Sequence, residues 1–306
     1  KIEQFWLSYI DALIKLNQID EAKAVLGQAQ SKGKKGNGFD QLKKRIGSAT
    51  SKSSNVQEPP KEQLNALIKL YKQNRLQKVF KDAQKLTKQY SRSLYLWNLM
   101  GVSAAQIGRQ DKAIIAFRKA ISIKPDYADA YNNMGNSLKD LGKLKEAIEA
   151  YNKALSLKPD YAEAYNNMGV TLQKQGKLKE AIETFNKALA IRPEYAEAHN
   201  NMGVTLQDQC NLEAAIEAYH KALSFKPEYA EAYWNLSGIA ENIIESKKWV
   251  VKCLKASPQN LEAKLILSAL QFYEGDRSEF NEVIKSLAKD HPYTRSFSWA
   301  FSLPKL

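Results

Sequence analysis

The feature that most constrains this chain is an internal repeat with a period of 34 residues. Prolines, alanines and glycines each return four times in this register. The positions are Pro125, Pro159, Pro193 and Pro227; Ala113, Ala147, Ala181 and Ala215; and Gly101, Gly135, Gly169 and Gly203. A fixed period of this length is the signature of an array in which each unit packs on its sequence neighbours. The repeat therefore predicts a solenoid rather than a closed globule.

Each repeat unit is predicted to form two helices. Apolar and small residues follow steps of three and four over residues 131–138 and again over 144–155, which places each set on one helical face. Gly142 separates the two sets, and Pro159 ends the unit. One such pair cannot bury its own apolar face, so the units must stack.

These residues resemble the tetratricopeptide repeat, whose signature is an aromatic, a small residue four later, then alanine, aromatic, alanine and proline. One unit matches it with Tyr131, Gly135, Ala147, Tyr151, Ala154 and Pro159. The resemblance implies an all-α, right-handed superhelical solenoid of antiparallel helix pairs. It predicts a solenoid over 61–292 with the strongest match over 94–229, and a unit shortened to 31 residues between Tyr233 and Lys264.

The remaining segments give the predicted domain organisation. Residues 1–46 show the same spacing and form an N-terminal helical unit. Residues 47–60 are rich in serine, end in two prolines and are predicted to be a flexible linker. Residues 293–306 are apolar and are interpreted as a C-terminal cap or the start of a further domain.

Composition excludes several classes of site. Two cysteines, Cys210 and Cys253, cannot form a disulfide framework, and the three histidines lack metal-ligand spacing. Cys253 is interpreted as core packing, Cys210 as a small residue tolerated at a helix turn, and His199 as a packed interface imidazole. No apolar run reaches the length of a membrane span, and no catalytic motif is found in this fragment. We expect no cofactor, no metal and no catalytic residue here.

The candidate binding residues are asparagines on the stripe that core packing does not need. They are Asn133, Asn167, Asn201 and Asn235, with Asn98 one position off the register. Asparagine is a mediocre helix former, and its amide offers both a donor and an acceptor. The row resembles the asparagine ladder in the arm of O-linked N-acetylglucosamine transferase, which implies contacts to a peptide backbone. The alternative, that these amides bond to neighbouring repeats, stays open, and the two roles are compatible.

A row of acidic residues accompanies the asparagines and bears on the charge of the ligand. It consists of Asp129, Glu163, Glu197 and Glu231. Four carboxylates along one channel would repel a peptide carboxylate. The leading hypothesis is therefore a non-catalytic protein–protein interaction scaffold that binds an extended, neutral or basic peptide segment.

Two other functions remain as alternatives. The net charge is +13, and residues 61–127 hold 14 basic groups against 4 acidic ones. The exposed lysines expected there make nucleic-acid binding a minor alternative, although they lack interleaved exposed aromatic residues and a groove-reading motif. The main alternative is the substrate-recruiting arm of a larger bacterial glycosyl-, sulfo- or methyltransferase. The chain starts at Lys1 and is interpreted as truncated. We expect a cytoplasmic location. Self-association through the end repeats stays open.

Overall fold

The computed structural model describes residues 2–15, 19–33, 36–53 and 58–273, and every regular element in these ranges is a helix. The chain divides into two compact units, Lys1–Gly108 and Arg109–Leu306. The predicted second helix of the last repeat and the predicted cap at 293–306 lie outside the described residues.

The N-terminal part of the first unit contains three helices: α1 (Ile2–Lys15), α2 (Ile19–Ser31) and α3 (Asn37–Ser53). They share one apolar core formed by Ile10, Leu13, Ala22, Leu26, Ala29, Phe39, Leu42 and Ile46. Helix α3 packs on both α1 and α2 and extends to Ser53. The structure thus differs from the predicted linker at 47–60, because residues 47–53 contain no proline and continue the helix.

Three further helices complete the first unit: α4 (Lys61–Lys72), α5 (Leu76–Gln89) and α6 (Leu94–Gln106). Helix α5 packs against both α4 and α6. The Ser93 hydroxyl caps α6 by accepting a hydrogen bond from the Leu96 N–H, and it also bonds to the Glu58 carboxylate. Pro59 is also buried, and the Glu58 contact holds the segment leading into α4 at the start of α6.

The second unit is a stack of helix pairs. Its helices are α7 (Gln110–Ile123), α8 (Ala128–Asp140), α9 (Leu144–Leu157), α10 (Ala162–Lys174), α11 (Leu178–Ile191), α12 (Ala196–Asp208), α13 (Leu212–Phe225), α14 (Ala230–Gly238), α15 (Ile243–Ala256) and α16 (Leu261–Tyr273). Each of the first helices α8, α10, α12 and α14 packs on the second helix of its own pair and on the second helix of the preceding pair. The predicted all-α solenoid of helix pairs is confirmed. The shortened unit is also confirmed, since α14 has 9 residues where α12 has 13.

A close approach of glycine to an aromatic ring fixes the spacing between the two helices of a pair. The residues in contact are Gly135 with Tyr151, Gly169 with Phe185, and Gly203 with Tyr219. A Cβ atom added at Gly169 would lie 2.6 Å from Cε1 of Phe185, whose side chain is fully buried. Real Cβ contacts are not this short, so each of these positions requires glycine.

The turn between the two helices of a pair requires a left-handed backbone residue. Gly142 and Gly176 have φ values of 73° and 75° there, and Cys210 takes the same register with φ at 59°. A side chain with a Cβ is strained in this conformation by roughly 1–2 kcal/mol. Cys210 is exposed, so its thiol gains no burial in return.

We therefore expect Cys210→Gly to raise the free energy of unfolding by about 1 kcal/mol, since glycine removes the strain but loses more chain entropy on folding. Chemical denaturation of the full chain measures this change. Cys210→Ala is the matched control, because alanine removes the thiol and keeps the Cβ. An equal gain in both variants would contradict the backbone explanation.

Candidate functional site

The first helices of the second unit form one continuous surface. Helices α8, α10, α12 and α14 contact each other directly from repeat to repeat, whereas successive second helices make fewer contacts. The stack is therefore tighter along the first helices, and we call their open side the inner face. The four predicted asparagines, Asn133, Asn167, Asn201 and Asn235, are half-buried on these helices.

Hydrogen bonds between side-chain amides join successive repeats on this face. The Nδ2 group of Asn167 donates to Oδ1 of Asn132 at 3.1 Å. The same bond recurs from Asn201 to Asn166 and from Asn235 to Asn200, at 3.0 Å in both cases. The acceptor asparagines are only 5–6% exposed. Each half-buried asparagine is therefore anchored by a buried asparagine of the preceding repeat.

This arrangement leaves part of each ladder amide available. One N–H of the Asn167 side chain is used by Asn132, while the second N–H and the Oδ1 atom make no hydrogen bond within the described residues. The same holds for Asn201 and Asn235. The hydrogen bonds between repeats are the alternative role that the sequence left open for these asparagines. The free donor and acceptor of each side chain are still available to a peptide ligand.

The residues singled out from the sequence are the half-buried asparagines of the ladder and not the buried ones that hold them. The two consecutive asparagines in each repeat are the sequence signal for this anchoring role. The same signal explains the position of Asn98. Asn98 stands 34 residues before Asn132, so it has the register of the buried partner. Its Oδ1 atom is buried and has no hydrogen-bond partner in the structure. The peptide contact predicted for Asn98 stays a prediction.

A row of tyrosines covered by basic side chains precedes the first helices. The Nζ atoms of Lys158 and Lys226 lie 4.4 and 4.1 Å from the ring centres of Tyr161 and Tyr229. Burial and then nearby carboxylates raise the pKa of Tyr161, where Asp129 acts, and the pKa of Tyr229. These hydroxyls therefore stay protonated at neutral pH and can donate hydrogen bonds.

The predicted acidic row lies in the first helical turns, where a carboxylate is stabilised by the helix dipole. One of its four carboxylates is neutralised by an ion pair. The Arg192 guanidinium, which stacks on the ring of Tyr195 at 3.7 Å, forms an ion pair with Glu163 at 2.9 Å. Arg192 therefore offsets one of the four carboxylates that the sequence argument counted as repulsive.

Comparisons with known proteins support the repeat assignment. Family models described as TPR repeat match residues 104–142 and 135–176, and a model described as tetratricopeptide repeat matches residues 160–228. Tetratricopeptide repeats therefore occupy residues 104–228. A search of curated protein sequences finds no match.

Solved structures show the same tetratricopeptide-repeat fold. PilF from Pseudomonas aeruginosa aligns with a TM-score of 0.58 at 21% identity over 68% of this chain and 96% of its own. The Cut9–Hcn1 assembly of the APC/C aligns with a TM-score of 0.60 at 17% identity over 87% and 55%. A thermophilic TPR protein from Thermus thermophilus, TTC0263, has a TM-score of 0.52 at 20% identity over 59% and 100%. At these identities the likeness concerns the fold alone.

Cys253 and the lysines between residues 61 and 127 have the burial that the sequence predicts. Cys253 is fully buried, and its thiol accepts a hydrogen bond from the Asn260 amide at 3.6 Å. Lysines on α4 and α5 are exposed; they are Lys69, Lys72, Lys78, Lys81, Lys85 and Lys88. Within the described ranges, no helix has the length and apolarity to cross a membrane, and no group of three metal-ligating side chains occurs.

His199 replaces the aromatic residue that opens the tetratricopeptide signature. Its Nε2–H donates to the Pro193 carbonyl at 2.9 Å, as the Tyr233 hydroxyl donates to the Pro227 carbonyl at 3.0 Å. The imidazole is 8% exposed and stacks on the ring of Phe225. The predicted packed interface imidazole is confirmed.

Burial lowers the pKa of His199, and the Lys221 charge adds to this effect. The unfolded chain therefore takes up a proton near pH 6.5 while the folded chain does not. The contribution of neutral His199 to the free energy of unfolding is complete above pH 6.5. Below that pH we expect the free energy of unfolding to fall by at most about 1.4 kcal/mol per pH unit, until the pKa of His199 in the folded chain is reached. His199→Tyr should lose this dependence, which denaturant midpoints between pH 5 and 8 can measure. Parallel pH profiles of the two proteins would contradict the assignment.

Proposed function

We propose that this chain is a non-catalytic protein-interaction scaffold whose inner face binds an extended peptide segment. The contacting groups are the free N–H and Oδ1 atoms of Asn167, Asn201 and Asn235, with Asn133 at the start of the row. A side-chain amide complements a peptide unit, because each has one donor and one acceptor that can pair. The ligand is therefore recognised mainly through its backbone.

The observation that carries this proposal is the inter-repeat amide bond at each step of the ladder. Asn167, Asn201 and Asn235 are each held by a bond of 3.0–3.1 Å to a buried asparagine. A side chain that is already ordered loses little conformational entropy when a ligand binds. The bonds between repeats therefore prepare the amides for a peptide.

Charges near the ladder support a neutral or basic ligand. Asp129, Glu197 and Glu231 are exposed carboxylates in the first turns of α8, α12 and α14, whereas Glu163 is paired with Arg192. The lysines that lie over the tyrosine rings reduce the net negative charge of this rim. Charge therefore gives only a modest preference for a neutral or basic peptide. Contacts to the peptide backbone supply most of the affinity.

An ester scan tests whether the peptide backbone is recognised. Dodecapeptides selected on the full chain from a random library would be remade with single amides replaced by esters, which removes one N–H and weakens one carbonyl acceptor. We expect each ester in the contacted stretch to lower the affinity by about 2-fold to 10-fold, the equivalent of one hydrogen bond. Recovery of no binding peptide, or unchanged affinity for every ester, would overturn the proposal.

A further inference from the structure

A pocket opens on the inner face where the short helix α14 ends. In the preceding step, Nε2 of Gln173 on α10 donates to the Asp208 carboxylate on α12 at 2.8 Å and ties the ends of the two helices together. Gln207 has the register of Gln173, but α14 stops at Gly238 and does not reach it. The missing turn leaves a cavity of about 220 Å³. Its lining side chains are Gln207, Trp234, Asn235, Ser237, Ser246 and Ile266.

The asparagine ladder ends at this pocket. Trp234 stands 34 residues after Asn200 and takes the register of the buried asparagines. Ile266 stands 31 residues after Asn235, which is the length of the shortened repeat, and takes the next place in the ladder. The row of amides therefore continues directly into a pocket whose lining includes the apolar side chains of Trp234 and Ile266.

The chemistry of the lining selects an uncharged side chain. Among the residues that the structure describes, no charged side chain lines the cavity. The Ser237 hydroxyl donates to the Trp234 carbonyl at 2.6 Å, and the Ser246 hydroxyl donates to the Ser237 carbonyl at 3.0 Å. Oε1 of Gln207 accepts from the Tyr219 hydroxyl at 2.9 Å. A charged group would be desolvated here with only the neutral amides of Gln207 and Asn235 as partners, whereas an aliphatic group would be buried against Trp234 and Ile266.

We propose that this pocket anchors one aliphatic residue of the bound peptide, of leucine or methionine size, at the α14 end of the asparagine ladder. The inference rests on the proposed function, since the anchor belongs to the same extended peptide. Burying a side chain of this size contributes about 10-fold to 100-fold in affinity. The ladder thus holds the backbone, and the pocket fixes the register of the peptide.

The test uses fluorescein-labelled dodecapeptides selected on the full chain. Every position of each peptide would be changed to alanine, aspartate and lysine, and its affinity measured by fluorescence anisotropy. We expect one aliphatic position at which aspartate lowers the affinity at least about 10-fold. Ile266→Asp should remove the aliphatic preference at that position and favour lysine there. Ile244→Asp, at an isoleucine that is 81% exposed outside the pocket, is the matched control.

Ile266→Ala provides a second variant in case aspartate disturbs α16. By enlarging the pocket, it should shift the preferred anchor towards phenylalanine. Peptides that bind and lose affinity with Asn167→Ala/Asn201→Ala, yet show no anchor position or keep it unchanged in both Ile266 variants, would overturn the pocket and leave the proposed function standing. If no peptide binds the chain, both proposals are overturned.

Discussion

Gly169→Ala is expected to lower the free energy of unfolding by about 2 kcal/mol. The added Cβ would lie 2.6 Å from Cε1 of Phe185 and within 2.9 Å of two more atoms of that ring. The ring is fully buried, so either the ring or helix α10 has to move. Overpacking of this kind costs about 1–3 kcal/mol, and the better helix propensity of alanine offsets at most about 1 kcal/mol. Denaturant titration followed by circular dichroism measures the difference.

Two comparisons separate the steric effect from helix propensity. Gly27 lies inside α2, and a Cβ there would meet no atom within 4 Å, so Gly27→Ala should stabilise the chain by about 0.5–1 kcal/mol. In the second comparison, Phe185→Leu removes the ring, and Gly169→Ala should then cost less than it does in the parent. Equal effects at Gly27 and Gly169, or no coupling with Phe185, would refute the steric explanation.

The fold was predictable because its determinants recur in the sequence. Glycine, alanine and proline return at 34-residue steps, and each marks a close approach or a helix end that sequence patterns reveal. The shortened repeat was predictable for the same reason. The continuation of helix α3 over residues 47–53 was not predicted, because the serine-rich residues after Ile46 have no apolar period. A solvated helix end lacks the signal that a buried face provides.

The site was predictable only in part. The sequence placed Asn133, Asn167, Asn201 and Asn235 on one stripe, and the structure does so as well. It could not show that Asn167 donates to Asn132, because that bond depends on the spacing of α8 and α10 and on the two side-chain rotamers. The pairing of Arg192 with Glu163 escaped prediction in the same way, since the two residues meet only when repeats stack.

Replacing the ladder amides is expected to cause the largest functional loss. The variant Asn167→Ala/Asn201→Ala/Asn235→Ala removes three groups that we assign to the peptide backbone. At about 0.5–1.5 kcal/mol for each hydrogen bond, the affinity for a selected peptide should fall by roughly 10-fold to 1,000-fold. Fluorescence anisotropy with the peptides described above measures the loss. Because the contacts are to the backbone, unrelated peptides should lose similar factors.

The triple variant should remain folded, which makes the loss interpretable. Each alanine gains helix propensity, and this gain offsets part of the lost bond to Asn132, Asn166 or Asn200. The matched control is Asn152→Ala/Asn186→Ala, which makes the same change at exposed positions on the second helices α9 and α11. The control should bind peptides as the parent does. A folded triple variant with the affinity of the parent would show that the ladder serves only to join the repeats, since the bonds between repeats would then be the only role left for these amides.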